Sequence, residues 1–214
     1  MASKILVDEI SPQTGTDVVI TATKKISGDN TQFKITGGAN LNHLQTDGAG
    51  NVTWVAPPSA LFSGYALFAD QKAQNTAGGT FTQDVWQTRD LNTSIANTDT
   101  TNIVLGTNQF TLLAGSYLIK WSAPASMCDR NQTRLYDITG AAVLEVGSSA
   151  YNYPNHPTYL TVGPSSGFAR ITPGSSNIYR IEHRCSLTKA TDGFGLASNV
   201  AAEQYTMVEI IKEA

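Results

Sequence analysis

The chain has 214 residues and a net charge of −3, and only 14% of its residues are charged, against roughly 25% in ordinary soluble domains. Thr, Ser and Asn together make up 57 residues, and the apolar share is 41%. This balance excludes helical bundles, coiled coils, disordered chains and basic nucleic-acid binders, and it favours strands joined by many turns.

At the N-terminus the apolar run Ile5–Val7 is broken at once by Asp8 and Glu9. It does not read as a secretory signal, so synthesis in a cytoplasm is expected. No run of 18 apolar residues occurs, so no membrane insertion is expected. Residues 1–57 are a string of short apolar pieces: Ile5–Val7, Val18–Ile20, Phe33–Ile35 and Val52–Val55. Turn clusters separate them at Pro12–Gly15, Ser27–Asn30, Gly37–Gly38 and Asp47–Asn51. Strands this short do not bury enough surface to offset about 1–2 kcal/mol of conformational entropy per residue. This segment needs a partner: its own C-terminal domain, further copies of the chain, or a larger particle. Pro57 and Pro58 then introduce a stiff linker over residues 58–61.

From residue 62 the chain carries longer strands. Strict alternation marks Tyr117–Trp121 and Ile178–Arg184. The second places Ile178, Arg180, Glu182 and Arg184 on one face and Tyr179, Ile181 and His183 on the other. The closing strand is Tyr205–Ile211. Further candidates are Phe62–Phe68, Asp84–Arg89, Asn102–Leu105, Gln109–Leu113, Thr133–Tyr136, Val143–Val146 and Gly167–Ile171. Their spacing predicts an all-β, antiparallel sandwich or jelly roll over residues 62–214. No amphipathic helix is expected, and Asp70–Ala77 has room for one turn at most.

No catalytic set emerges, so an enzyme is not expected. His43 lies among turns, and His183 points inward on a strand as a structural residue. Gly163–Gly167 (Gly-Pro-Ser-Ser-Gly) has the outline of a nucleophile elbow without its strand-then-helix context. Asp129, Asp137 and Glu145 flank strands and read as a solvated face rather than a glycosidase pair. Asp99 and Asp192 stand alone, so no metal and no cofactor are expected. Cys128 and Cys185 fit no metal spacing; buried free thiols are the simpler reading and a single disulfide the other. Trp86 and Arg89 suggest an aromatic–cation patch, or else strand packing with a local Arg89–Asp90 pair.

Binding is the better prospect. Residues 151–159 hold Tyr151, Asn152, Tyr153, Asn155, His156 and Tyr159 and are stiffened by Pro154 and Pro157. Tyr and Asn offer stacking surface and paired donors and acceptors at low entropy cost. The segment reads either as a receptor-contact loop or as a connection whose tyrosines pack on a neighbouring subunit.

Two stretches carry family resemblance. Leu44–Trp54, with Asp47, Gly48, Gly50, Asn51 and Trp54, resembles an L-x-T-D-G-x-G-N-x-x-W element of bacteriophage fibre and collar proteins. Physically it is a hairpin turn leading into a strand. Residues 5–35 look like the N-terminal part of marine phage structural proteins. Phe110, Gly115 and Tyr117 match the F-x-x-x-x-x-G-x-Y-x-F stretch of C1q/tumour-necrosis-factor-like jelly rolls, with Ile119 where that family prefers Phe.

The resemblance implies a homotrimer. An extended anchor or shaft (1–57) would join other virion proteins, and a jelly-roll head (62–214) would meet a host surface glycan or protein. It implies a virion location, while the net charge and the lack of a basic block leave no nucleic-acid partner expected. An architectural head-fibre, neck, collar or decoration protein remains open beside it, as do a depolymerase and a cellular C1q-like lectin. Around a threefold axis, uncharged hydroxyl side chains avoid like-charge repulsion. The scarce charges Arg180, Glu182 and Arg184 are therefore expected away from that axis or paired between subunits.

Overall fold

In the computed structural model, residues 42–46, 48–49, 52–56, 61–154 and 161–214 are described. Contacts divide the chain into two units, Met1–Pro57 and Pro58–Ala214. In the first, β1 (His43–Thr46) and β2 (Val52–Val55) form an antiparallel hairpin with Leu44 opposite Trp54. Gly48 adopts φ 78° in the turn, where a side chain would be strained, and its N–H donates to Thr46 Oγ1 at 3.3 Å. An isolated two-stranded hairpin is marginal in water, and Leu44 and Val52 are exposed. The strands expected at Ile5–Val7, Val18–Ile20 and Phe33–Ile35, the motif residues Asp47, Gly50 and Asn51, and residues 57–60 lie outside the described residues.

The second unit holds β3 (Phe62–Lys72), β4 (Gln87–Thr88), β5 (Thr93–Asn97), β6 (Ile103–Gly106), β7 (Gln109–Leu112) and β8 (Tyr117–Ser126). It continues with β9 (Asp129–Asp137), β10 (Ala142–Val146), β11 (Ala150–Asn152), β12 (Val162–Ile171), β13 (Asn177–Cys185) and β14 (Glu203–Glu213). One sheet runs β12-β8-β14-β3-β5. The other runs β10-β9-β13-β7-β6, with β11 on β9 and β4 on β13. Every pairing between these strands is antiparallel, and the chain crosses repeatedly between the sheets. This is the jelly-roll sandwich that the strand spacing anticipates.

Alternation decides which side each strand buries. Phe68, Ile119, Trp121, Val208 and Ile210 from one sheet meet Phe110, Leu112, Leu135, Tyr179 and Ile181 from the other in a single apolar core. Trp121 fits because Gly167 lies on the paired strand; a Cβ there would overlap the indole. A smaller cluster of Phe81, Ala125, Cys128, Cys185 and Phe194 lies apart from that core. Pro124 and Pro164 face each other across β8 and β12, and β12 is an edge strand that tolerates a missing N–H.

Three expectations change. The strand anticipated over Asp84–Arg89 shrinks to Gln87–Thr88, because residues 84–86 turn away from the ladder. β5 and β11 lacked a sequence signal: β5 is a partly exposed strand without alternation, and β11 has three residues. The second half of β8 reads Ser-Ala-Pro-Ala-Ser, a poor strand former held by its neighbour β12.

Candidate functional site

The outer face of the sheet containing β9 and β13 is unusual for so uncharged a chain. On β9, Asn131, Thr133 and Leu135 point inward, which turns Arg130, Gln132, Arg134 and Tyr136 outward. On β13, Tyr179, Ile181 and His183 point inward, as expected, and Arg180, Glu182 and Arg184 face outward. Register sets Glu182 opposite Arg134 and Arg184 opposite Gln132. Glu182 is covered from both sides: Arg134 reaches Oε2 at 2.5 Å and Arg180 reaches Oε1 at 2.5 Å, so the carboxylate is buried and fully paired. Arg134 also stacks over Trp86 (4.1 Å) and Tyr136 (5.1 Å), and Arg180 stacks over Tyr136 at 5.1 Å. These charges pair within one chain.

At one end of this face lies an open cleft of about 590 Å³. Asp84, Trp86, Arg130, Gln132, Tyr151 and Arg184 line it, with Asn131, Ser149, Ala150, Cys185 and Ser186 around them. Four elements build it. β9 and β13 supply the arginines and Gln132. The segment before β4 brings in Asp84 and Trp86. β11 pairs with the start of β9, setting Tyr151 opposite Arg130. Arg184 Nη2 donates to Asp84 Oδ1 at 2.9 Å. Gln132 is held by the Gly147 carbonyl at 2.8 Å. The Ser186 hydroxyl accepts from Arg130 N–H (3.0 Å) and donates to Asp129 (2.7 Å). The cleft thus combines two aromatic rings, two guanidinium groups, amides and hydroxyls.

The tyrosine-rich segment divides. Tyr151 lines the cleft and is 59% exposed. Tyr153 is exposed, and its carbonyl accepts from Thr161 Oγ1 at 2.8 Å. Asn152 is 2% exposed and turns toward Cys128 Sγ at 3.9 Å. A receptor contact by Asn152 is therefore corrected, because strand alternation buries it between its two tyrosine neighbours. Asn155, His156 and Tyr159 lie outside the described residues. The Trp86 expectation is also corrected. Its cationic partner is Arg134, since Arg89 is buried, donating to Thr206 Oγ1 and the Phe194 carbonyl at 2.8 Å each and stacking over Phe194 at 4.1 Å. Asp90 pairs with Lys72 at 3.0 Å instead of with Arg89.

Phe110 and Tyr117 are fully buried in the apolar core, and the Gly115 N–H donates to the Pro173 carbonyl at 3.1 Å. Trp54 stands opposite Leu44 in the β1–β2 hairpin. Gly163–Gly167 is ordinary strand within β12. Asp137, expected on a solvated face, is buried and accepts from Gly140 N–H and Asn177 Nδ2, both at 2.9 Å. Glu145 is exposed on β10. Cys128 and Cys185 are both buried and unbridged. The Cys185 thiol donates to the Leu187 carbonyl at 3.2 Å; its interaction with the neighbouring Cys128 thiol, and then burial, push its pKa up, and the same interaction pushes that of Cys128 down. Among the described residues no group of three His, Cys, Asp or Glu side chains is placed to hold a metal.

No family model and no curated protein matches the chain. Among solved structures, the globular domain of zebrafish complement 1qA protein is 13% identical (TM-score 0.40) and the match covers 69% of this chain and 94% of that one. Murine APRIL is 6% identical (TM-score 0.43; 70% and 98%). Eiger TNF from S. frugiperda is 13% identical (TM-score 0.43; 70% and 92%). The likeness goes no further than a similar sandwich of strands, and the fold assignment rests on the strand order itself.

Proposed function

We propose that the chain is a structural fibre protein of a tailed bacteriophage virion, a binding protein rather than an enzyme. In this reading residues 1–57 attach to the particle, and residues 62–214 form a trimeric head that contacts the host cell surface. The observation that carries it is the contrast between the two outer faces of the sandwich. The outer side of the five-stranded sheet presents Tyr65, Leu67, Leu118, Phe168, Met207 and Ile211, with Phe168 59% exposed, and among them stand the charged Lys120, Glu209 and, toward the edge, Arg170. An apolar face of that kind suits burial against identical copies. The opposite sheet carries the arginine–aromatic face and its cleft, which suits contact with something polar. The hairpin of the Leu44–Trp54 element supports the fibre part of the reading, and three cleft copies on one trimer would strengthen weak attachment.

Light scattering of the full chain is expected to give three times the 22.8 kDa chain mass. Phe168→Glu should lower that mass, and a monomeric wild type overturns the trimer. Labelled protein is expected to adsorb to host cells. No adsorption would favour an architectural head-fibre, neck or decoration role instead, and adsorption unchanged by Trp86→Ala with Tyr151→Ala would place the contact outside the cleft. A density map of the intact virion tests where the N-terminus docks.

A further inference from the structure

Resting on the reading of the head as the contact domain, we propose that the Trp86–Tyr151 cleft recognises a carboxylate-bearing saccharide, of the uronic or ulosonic acid class. The argument begins with where the arginines are. The chain has six: Arg89, Arg130, Arg134, Arg170, Arg180 and Arg184. Four of them sit on the outer face of β9 and β13. Three are already engaged: Arg134 and Arg180 by Glu182, and Arg184 by Asp84. The fourth, Arg130, is exposed at the cleft and has no carboxylate within ion-pair distance among the described residues; the nearby Asp129 is taken by the Ser186 hydroxyl. The cleft lining therefore holds two guanidinium groups against the single carboxylate of Asp84.

The surroundings of Arg130 are those of a sugar site. Tyr151 stands directly across the strand pair from it. Trp86 supplies a second ring, one face of which is covered by the Arg134 guanidinium, which keeps the indole from rotating freely. Aromatic faces stack on the C–H faces of sugar rings. Gln132, Ser149 and Ser186 are amide and hydroxyl partners suited to sugar hydroxyls. A guanidinium binds a carboxylate through two parallel, charge-assisted hydrogen bonds, stronger and more directional than its contact with a neutral hydroxyl. A neutral saccharide would meet Arg130 only through its weaker contact with hydroxyls. A nucleic acid would need a basic track, which a chain of net charge −3 with Asp84 and Glu182 on this face does not provide. The cleft volume falls within the range of about 300–1,000 Å³ usual for small-ligand sites.

The test uses the full chain and calorimetric titration with hexasaccharides: oligogalacturonate, oligomannuronate and oligosialate, each beside its methyl ester, with oligosaccharide sulfates and maltohexaose as further probes. Binding of at least one carboxylated hexamer is expected. Esterification and Arg130→Gln should each weaken it about tenfold or more, the worth of one charge-assisted pair. Arg130 is exposed and its replacement leaves the core untouched; an unchanged melting temperature verifies that. Arg170→Gln, on the other sheet, should leave binding unchanged. Equal binding of acid and ester, binding only of sulfates or maltohexaose, no binding of any hexamer, or full binding by Arg130→Gln overturns the proposal. Adsorption of the same protein to host cells separates the two levels. Cells bound without any carboxylated hexamer bound removes the acid-sugar assignment alone, whereas loss of cell binding removes the contact-domain reading beneath it.

Discussion

The sandwich contains two interiors built on opposite principles. The main core is apolar: Phe68, Phe110, Ile119, Trp121, Ile181 and Val208 interlock, and its polar atoms sit at the edges of large rings. The smaller cluster around Phe81 and Phe194 instead surrounds a guanidinium. Arg89 is 1% exposed, His183 is fully buried beside Phe81 (ring centroids 4.7 Å), and two thiols complete the group. Burial drags Arg89 down to about 10, although Asp70 and Asp90 act to hold its proton. The first region is stabilised by area removed from water, the second by directional partners that must all be present. The sharpest way to separate them is to truncate each centre.

Trp121→Ala should cost about 3–5 kcal/mol, the range for a buried aromatic deletion. Urea unfolding measures it, and a loss under about 1 kcal/mol would mean that the core collapses around the gap. Arg89→Met should cost less, about 1–3 kcal/mol. It leaves the Thr206 hydroxyl and the Phe194 carbonyl without their donor but removes a buried cation whose Nη1 already has no hydrogen-bond partner among the described residues. If Arg89→Met is as stable as the wild type, the buried cation contributes nothing net, as replaced buried ions sometimes do.

Acid should affect the second region and leave the first untouched. His183 is held neutral well below its ordinary value, first by burial and then by Arg89, while its Nε2 lies 2.9 Å from Asn131 Oδ1. The unfolded chain takes up this proton near pH 6.5, so stability is full above that pH and falls below it. Glu203 adds a second stage. N–H groups of Ser198, Asn199 and Asn75 donate to its carboxylate and hold it at about 2 against an ordinary 4.5. Its contribution is complete above about 4.5 and is lost as pH falls toward about 2. Melting temperature should therefore decline below pH 6.5 and more steeply below 4.5, and Glu203→Gln should abolish the second decline. A wild-type profile flat from pH 7 to 4 contradicts the His183 part.

The two regions also differ in how much of them the sequence betrays. Strict alternation at Tyr117–Trp121 and Ile178–Arg184 identifies inward residues of the main core, including the inward turn of His183. The fate of Arg89 has no local signature, because its partners Thr206 and Phe194 are more than a hundred positions away. The cleft is an intermediate case. Trp86 and Tyr151 each stand out as aromatic residues, yet their meeting depends on β11 adding to β9 and on the segment before β4 crossing that face. Arg184 carried a usable signal, the outward phase of its strand, whereas Arg130 precedes the strand expected over Thr133–Tyr136, and only the non-local register sets the two beside the rings. Asn152 shows the converse: residue type suggested a contact, and period-two burial removed it.

The smallest expected effect concerns the hydroxyl-rich composition. Part of it is spent inside a single chain. Trp121 Nε1 donates to Thr133 Oγ1 (2.8 Å), Thr133 lies 2.8 Å from Ser165 Oγ, and Ser165 Oγ donates to the Ser148 carbonyl (2.7 Å). Because Ser165 spends its hydrogen on Ser148, it must accept from Thr133, which fixes the direction of the whole chain from indole to carbonyl. Short uncharged side chains are what such a relay requires: each gives one hydrogen, takes another, and fits between paired strands. Thr133→Val keeps the shape and leaves the indole N–H without an acceptor, so it should cost about 1 kcal/mol. The loss should be independent of salt and pH, unlike any change near Arg89 or Glu203. Thr133→Ser, which restores the oxygen, should recover most of the hydrogen-bond contribution. A Val variant as stable as wild type would mean that these hydroxyls are chosen for strand propensity alone, and the contrast between an area-driven and a partner-driven interior would then run through Arg89 only.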